Sequence, residues 1–515
     1  MPSTTVESLR EAIQRRRTFA IISHPDAGKT TLTEKLLLFA GAIHQAGMVK
    51  GKRLRRQATS DWMAIERKRG ISVTSTVLEF EYGGYHVNLL DTPGHEDFSE
   101  DTYRTLTAAD SAVMLIDAAR GIEAQTLKLF QVCRQRQIPI FTFINKWDRD
   151  GLSPFTLLQE IESVLGLNVY PVHWPLGMGT DFRGLYDRLR QRWEPYPEGP
   201  LRDVPPPDPS LRDALELLDE AGEPFDGSAV ARGELTPVFF GSAMVNFGVR
   251  SFLDHFLAMA PPPGPRISDQ GPQPPDQENF SGFIFKIQAN MNPAHRDRMA
   301  FLRVVSGRFQ RAMTVRHVRL NRSIALSQPQ QVFAQDRALL ETAYPGDIIG
   351  LFDPGYFRIG DTLSSHHLLS YAPLPQFSPE QFVEVLITDT GKYKAFHKGL
   401  HQLAEEGAVQ VFRGVNRTED ILLGFVGRLQ FEVFEYRMQN EYGVSLGKTF
   451  LPYQYARWLS VDSVDSVQLS HGSRLVRDHE QRLVALLPDE FTLRWLAEKN
   501  PNIVWYPTSD RNTST

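Results

Sequence analysis

Ile21-Ile22-Ser23-His24-Pro25-Asp26-Ala27-Gly28-Lys29-Thr30-Thr31 lies between an apolar segment, 18–22, and a leucine-rich segment, 29–40. This order predicts a strand, a tight turn and a helix. The N–H groups of such a turn and the positive end of the helix point at a bound polyphosphate. Lys29 would reach the β- and γ-phosphates, and the Thr30 hydroxyl would bind Mg²⁺. Ser23 replaces the first glycine of this motif, and an ordinary strand–turn–helix connection is the alternative.

The identity of the base is predicted by Asn145-Lys146-Trp147-Asp148, which follows an apolar strand at 138–144. The carboxyl ends of strands are where α/β sheets bind ligands. The Asp148 carboxylate can accept hydrogen bonds from guanine N1–H and N2–H₂, which adenine lacks, and such sites reject the wrong partner by about 10⁴–10⁵. Asn145 would face the O6/N7 edge, the Lys146 stem would cross the base, and Trp147 would only fill space. The alternative for Asp148 is a surface acid.

A second strand end, at 239–243, is expected near the same base. Backbone N–H groups there, at Ser242 and Ala243, would donate to guanine O6. The favoured ligand is therefore a guanine nucleotide rather than an adenine nucleotide.

Asp91-Thr92-Pro93-Gly94-His95 closes another predicted strand, 86–90. Asp91 can hold Mg²⁺ through a water, and the Gly94 N–H can reach a γ-phosphate because glycine has no Cβ. His95 is the candidate catalytic residue, which would orient the attacking water. A histidine that merely begins a helix beside Glu96 and Asp97 is the alternative.

These segments, together with Arg69-Gly70-Ile71-Ser72, resemble the motifs of the translational GTPases, and among them of the class II release factors, which are relatives of elongation factor G. The resemblance implies GTP or GDP and Mg²⁺ as cofactors, with Thr30, Ser72 and Asp91 (through water) holding the metal. Most of the wider family has threonine where this chain has Ser72; serine keeps the hydroxyl, and Ser72 as the mere start of a strand is the alternative. The motif residues expected to contact the nucleotide are Ser23, His24, Pro25, Asp26, Ala27, Gly28, Lys29, Thr30, Thr31, Asp91, Thr92, Pro93, Gly94, His95, Asn145, Lys146, Trp147, Asp148, Ser242 and Ala243.

The resemblance also implies a function. It is that of a ribosome-stimulated GTPase that binds ribosomal RNA and proteins and speeds the departure of class I release factors after termination. Two alternatives stay open: another ribosome-bound GTPase, either translocase-like or a ribosomal protection factor, and a P-loop phosphotransferase. The chain ends about where the further domains of elongation factor G would begin, and it has no Gly-Gly-Gln peptide-release motif, so we expect neither translocation nor peptide release.

The order of elements predicts three folded parts. Strands and helices alternate over 1–260, which indicates an α/β domain with helices on both faces of a mostly parallel sheet, interrupted by a surface insertion at 194–233. The resemblance implies that this is a P-loop GTPase domain. A Pro-rich linker, 261–277, is expected to hold neither helix nor sheet. Short alternating strands over 278–372 predict a β-barrel, and strands and helices over 378–508 predict an α+β domain.

Composition limits the partners and the compartment. The formal net charge is −5, so contacts with RNA must come from local patches. Two patches stand out, at 50–56 with five Lys or Arg residues and at 295–322 with eight arginines, although a solvated face is the alternative for each. The single cysteine, Cys133, indicates a reducing compartment. No apolar run approaches the roughly 20 residues of a membrane span, so we expect a cytoplasmic protein with neither membrane nor DNA partners.

The N-terminus is polar and has no apolar stretch of the kind found in signal peptides. It includes Arg15, Arg16 and Arg17 and is predicted to form a short polar helix.

Overall fold

A computed structural model describes residues 8–41, 72–197, 199, 201–203, 208–289, 298–326, 329–333, 336–365, 369–372, 374, 376–415 and 420–509. The first domain begins with a seven-stranded sheet in the order β2-β3-β1-β4-β5-β10-β6, parallel except for the antiparallel pair β2 and β3. Its strands are β1 Arg16–Ser23, β2 Thr76–Tyr82, β3 Tyr85–Asp91, β4 Ser111–Asp117, β5 Ile140–Asn145, β6 Asn168–Pro171 and β10 Leu235–Phe240.

Helices cover both faces of this sheet, and two hydrophobic clusters lie between the layers. This arrangement confirms the predicted α/β fold class. The helices are α1 Leu9–Gln14, α2 Lys29–Phe39, α3 Ser99–Thr107, α4 Ala124–Gln135, α5 Pro154–Glu160, α6 Pro209–Ala221, α7 Gly227–Ala231 and α8 Val249–Met259.

Strand register brings the sequence motifs to one edge of the sheet. β1 and β3 are parallel neighbours with Ile21 opposite Asp91, so the turn after β1 and the loop after β3 leave the sheet side by side. β4 and β5 are parallel with Asp117 opposite Asn145, so both strands also end at that edge. The parallel topology alone therefore assembles a site from segments far apart in sequence.

The N-terminal arginines differ from their prediction. Arg16 and Arg17 are buried in β1 rather than exposed on a polar helix, which ends at Gln14. Both guanidinium groups have buried acceptors, since Arg16 pairs with Asp347 and Arg17 donates to the carbonyl of Leu257.

A small antiparallel sheet, missed by the sequence prediction, follows β6. It consists of β7 His173–Leu176, β8 Gly184–Asp187 and β9 Arg192–Pro195. It begins before the expected insertion at 194–233 and packs through Trp174 and Leu185 against the core of the first domain.

The linker also differs from its prediction. Residues 261–277 contain the short antiparallel pair β11 Arg266–Ser268 and β12 Gly271–Gln273, joined through a turn in which Gly271 has φ +91°. The Arg266 side chain donates to the carbonyls of Thr107 and Ala109. The linker is therefore held to the first domain by these hydrogen bonds.

The second domain is antiparallel throughout. An eight-stranded sheet has the order β17-β16-β22-β13-β14-β21-β18-β19, and β15 pairs with β20 beside it. Its strands are β13 Ser281–Ala289, β14 Arg298–Ser306, β15 Phe309–Gln310, β16 Thr314–His317, β17 Arg322–Ala325, β18 Pro329–Phe333, β19 Asp336–Leu339, β20 Thr342–Ala343, β21 Ile348–Phe352 and β22 Thr362–Ser364.

The third domain combines another eight-stranded antiparallel sheet, in the order β26-β23-β25-β24-β28-β29-β27-β30, with three helices. Its elements are β23 Gln381–Ile387, α9 Tyr393–Glu405, β24 Gln410–Gly414, β25 Ile421–Phe425, α10 Arg428–Tyr442, β26 Leu446–Leu451, β27 Tyr455–Leu459, β28 Arg474–Arg477, β29 Leu483–Leu487, α11 Glu490–Lys499 and β30 Trp505–Tyr506. None of the helices in the described residues has the length and apolar character needed to cross a bilayer.

Within the described part of the second predicted patch, 298–322, the arginines do not form one exposed basic surface. Arg298 and Arg303 are buried, with Arg298 against Asp353 and Arg303 against Asp110 of the first domain. Arg319 pairs with Asp361. Acids distant in sequence supply these partners, which a local count of charges cannot detect. The patch at 50–56 lies outside the described residues.

Candidate nucleotide site

The three motifs line one cavity of about 340 Å³ at the carboxyl edge of the first sheet. Ser72 also reaches it, although the rest of the segment 69–72 lies outside the described residues. The lining residues are Ser23, His24, Pro25, Asp26, Gly28, Lys29, Thr30, Thr31, Ser72, Gly94, His95, Asn145, Lys146, Asp148, Arg149 and Met244.

The turn after β1 has the geometry of a phosphate cradle. Gly28 directly precedes α2 and has φ +100°, a backbone conformation that favours glycine. A Cβ at Gly28 would also overlap the side-chain amide of Asn145. The turn therefore needs glycine both for its own conformation and for its close approach to the loop after β5.

Lys29, which lines the cavity, is held in place by protein groups. Its Nζ lies 2.8 Å from Oδ1 of Asp91 and also donates to the carbonyl of Thr92. Thr92 in turn donates its hydroxyl to the carbonyl of Ile21 at 2.7 Å. The buried Asp91 carboxylate therefore has a lysine partner here, besides the role at Mg²⁺ expected from the sequence.

The Asn145 side-chain amide, which lines the cavity, joins two of the loops around it. Its Nδ2 donates to the Ala27 carbonyl at 2.8 Å, and its Oδ1 accepts from the Ala243 N–H at 2.9 Å. The Ser242 N–H donates to the carbonyl of Phe247. Asn145, expected at the guanine edge, thus joins two loops, and the two N–H groups expected to donate to O6 have protein acceptors.

Lys146 links the phosphate turn to the end of β4. Its Nζ donates to the Asp26 carbonyl at 2.6 Å and to Oδ2 of Asp117 at 2.7 Å. Burial raises the pKa of the Asp117 carboxyl, but hydrogen bonds from Lys146 and the Ala119 N–H outweigh burial, and that pKa lies below its ordinary value. The end of the Lys146 side chain is therefore fixed by two acceptors, one from the turn after β1 and one from the end of β4.

Several polar atoms at the cavity have no hydrogen-bond partner among the described residues. They are Oδ1 of Asp148, Oγ of Ser23 and Nδ1 of His24. Buried polar atoms are normally paired, so a polar ligand at this position suits them. Oδ1 of Asp148 is the only one of these atoms that belongs to a carboxylate.

His95 begins a short 3₁₀ turn and lines the cavity. Its Nδ1 accepts from the Asp97 N–H at 3.2 Å. The arrangement combines both sequence interpretations, because the same residue caps a turn and faces the cavity.

Other expected contact residues lie behind the cavity wall. Trp147 is fully buried, with its Nε1–H donating to the Gly177 carbonyl and its ring against Phe240, so its packing prediction agrees with the geometry. The expected residues that do not line the cavity are Ala27, Asp91, Thr92, Pro93, Trp147, Ser242 and Ala243. Met244 and Arg149 line it without having been predicted.

Comparison with protein families gives three adjacent matches. "Elongation factor Tu GTP binding domain" matches residues 14–262, "Elongation factor G domain 2" matches 279–366, and "Class II release factor RF3, C-terminal domain" matches 371–497.

Individual proteins match over nearly the whole chain. Peptide chain release factor 3 of Symbiobacterium thermophilum is 54% identical, covering 98% of this chain and 99% of that protein. Peptide chain release factor 3 of Streptococcus mutans serotype c is 51% identical, covering 96% of this chain and 99% of that protein. A crystal structure of a Thermus thermophilus protein superposes with a TM-score of 0.71 at 23% identity, over 90% of this chain and 72% of that one, and shows likeness of fold alone.

Proposed function

This chain belongs to the peptide chain release factor 3 family of translational GTPases, and from that premise we propose that its cavity holds GTP with guanine against Asp148 and the γ-phosphate against Gly94. The family activity is ribosome-stimulated hydrolysis of GTP, and its role is to recycle class I release factors from the ribosome after termination. The proposal assigns those steps to particular side chains.

One observation carries the assignment. The Asp148 carboxylate and the Lys29 ammonium line the same cavity, and Oδ1 of Asp148 has no partner among the described residues. A guanine nucleotide requires a negatively charged acceptor for the N–H groups of its base and a positively charged donor for its phosphates. Adenine would leave the carboxylate without donors.

Mg²⁺ belongs to the proposal as well. The hydroxyls of Thr30 and Ser72 line the cavity and would hold the ion, with Asp91 acting through a water. When bound, the ion neutralises charge on the β- and γ-phosphates. The oxygen-only donor set suits a hard cation of this kind.

Hydrolysis would depend on His95. Its ring faces the cavity beside Gly94, where a water attacking the γ-phosphorus would approach. A side chain that orients this water contributes without changing nucleotide affinity. We further propose that ribosomal RNA completes this arrangement.

Two further parts of the proposal concern the whole protein. We propose that it acts in the cytoplasm without membrane or DNA partners. We also propose that its domains are 1–260, 278–372 and 378–508, with 261–277 as the linker.

The test is hydrolysis of GTP and of ATP, each with and without ribosomes. We expect ribosomes to stimulate the hydrolysis of GTP but not the hydrolysis of ATP. His95→Ala should lower stimulated turnover by about a hundredfold or more while GTP affinity stays unchanged, and His471→Ala, at an exposed histidine in the third domain, is the matched control. Equal turnover in the His95 variant would remove that residue from the mechanism.

A further inference from the structure

One helix of the third domain starts without a side-chain cap from its own segment. α10 begins after Gly427, which offers no side chain to its first N–H groups. Such groups need acceptors when the helix end is buried. The acceptor comes from the first domain, where Oδ2 of Asp97 receives the N–H of Leu429 at 2.7 Å and that of Gln430 at 3.3 Å.

The fit between Asp97 and this helix is close. A Cβ at Gly427 would overlap the Asp97 carboxylate, so the absence of a side chain there makes room for the acid. The Asp97 side chain is only 10% exposed. A negative charge at this helix end is also favoured by the helix dipole.

The same residue holds His95. The Asp97 N–H donates to Nδ1 of His95 at 3.2 Å, and Oδ1 of its carboxylate lies 3.3 Å from that nitrogen. One residue therefore contacts both the imidazole at the cavity and the end of a helix in another domain.

A small apolar cluster supports this link independently. Val73, Phe98 and Val433 are buried together. Val73 follows Ser72, Phe98 follows Asp97, and Val433 lies on α10. One face of α10 thus packs against both segments that are expected to respond to the γ-phosphate.

We propose that Asp97 is a positioning residue through which docking of α10 fixes the orientation of His95 for GTP hydrolysis. The inference rests on the proposed role of His95 at the attacking water. When α10 is docked, its N–H groups fix Oδ2 of Asp97, which holds Oδ1 of the same carboxylate against Nδ1 of the ring. When the third domain shifts, the carboxylate loses those donors and the ring loses its support. The position of the third domain thereby controls the rate of GTP hydrolysis.

The experiment compares full-length variants on the ribosome. Asp97→Ala should lower ribosome-stimulated kcat by about tenfold or more, as expected for a displaced catalytic group, with GTP affinity unchanged. Asp97→Asn, which keeps the size and one acceptor, should give an intermediate kcat. Glu96→Ala is the matched control, because the Glu96 carboxylate is exposed and pairs only with exposed Lys128 among the described residues.

A double variant separates positioning from simple capping. With the Asp97 carboxylate removed, Gly427→Asp can supply α10 with a cap from its own chain. Amide exchange protection over 428–442 should fall in Asp97→Ala and return in Asp97→Ala/Gly427→Asp, while kcat stays low. Recovery of kcat together with protection would overturn the proposal, as would a normal kcat in Asp97→Ala. Failure of the proposed function looks different, because the unaltered protein would then show no stimulation by ribosomes.

Discussion

Selectivity for guanine depends on one carboxylate. Asp148→Asn should weaken GTP binding by about tenfold to a hundredfold, since a hydrogen bond to a charged group contributes about 1.5–3 kcal/mol. The amide that replaces the acid can donate to the O2 of xanthine, so xanthosine triphosphate should bind better than GTP. Competition between the two nucleotides measures the change. Asp150→Asn, at an exposed acid two residues away, is the control, and an unaltered preference in Asp148→Asn would refute the base assignment.

Single residues of the site were predictable where their chemistry is set by a motif, and much less so where it is set by their neighbours. The phosphate turn, Gly94 and Asp148 lie at the cavity because each directly follows a buried strand. The hydrogen bond from Lys146 to Asp117 depends on the register in which β4 and β5 pair, and this register cannot be predicted from the sequence. Met244 is an ordinary apolar residue whose place at the cavity depends on the path of its loop.

At the scale of elements, a buried histidine ties the small sheet to the first domain. His173 on β7 contacts Ser251 on α8 at 2.9 Å, beside the hydrogen-bonded pair of Asp187 and His255. Burial lowers the pKa of His173 from 6.5 to about 3, which outweighs the raising effect of Asp187. The neutral ring is therefore the form that packs in the folded protein.

This histidine should make the protein less stable in acid. Between pH 6.5 and 3 the unfolded chain binds a proton that folded His173 does not, so stability falls as pH falls. The loss should reach about 2 kcal/mol at pH 5. His173→Gln, which cannot take up a proton, should show a smaller decrease between pH 7.5 and 5 in urea unfolding followed by tryptophan fluorescence. His471→Gln should keep the full decrease, and an equal decrease in both variants would contradict this origin.

The elements themselves were predictable in proportion to their length and regularity. Strands such as β1, β4 and β5 are long, continuously buried and flanked by helices, so their continuous apolar runs identified them. The three-residue strands β11 and β12 are too short to show a period, and Pro272 argues against sheet. The four-residue strands β7, β8 and β9 were missed for the same reason.

The arrangement of the whole molecule depends on contacts between residues hundreds of positions apart. Arg303 reaches Asp110, Lys286 donates to the carbonyl of Ser75, and Arg104 donates to the carbonyls of Glu406 and Gly407. Neither the charge count nor the domain prediction could identify these partners. They hold all three domains together, so a shift of one domain must break buried polar contacts, which are costly to leave unmade.

Two ion pairs join the first domain to later parts of the chain, one to the second domain and one to the linker, and they allow a matched test of that cost. Arg16 lies 2.8 Å from Asp347 with both side chains less than 10% exposed, whereas Arg10 lies 3.1 Å from Asp276 with its side chain 84% exposed. Removing one partner of a buried pair costs about 3–5 kcal/mol, and an exposed pair contributes at most about 1 kcal/mol.

Arg16→Met should therefore lower the guanidinium unfolding midpoint clearly and separate the unfolding of the second domain from that of the first. Arg10→Met, with the same chemical change, should leave the midpoint nearly unaltered. Asp347→Asn added to Arg16→Met should cost less than the two single changes together, because no buried carboxylate remains that has lost its arginine partner. Calorimetry and denaturant unfolding measure both effects. Equal midpoints for Arg16→Met and Arg10→Met would mean that apolar packing, rather than the buried ion pair, holds these two domains together.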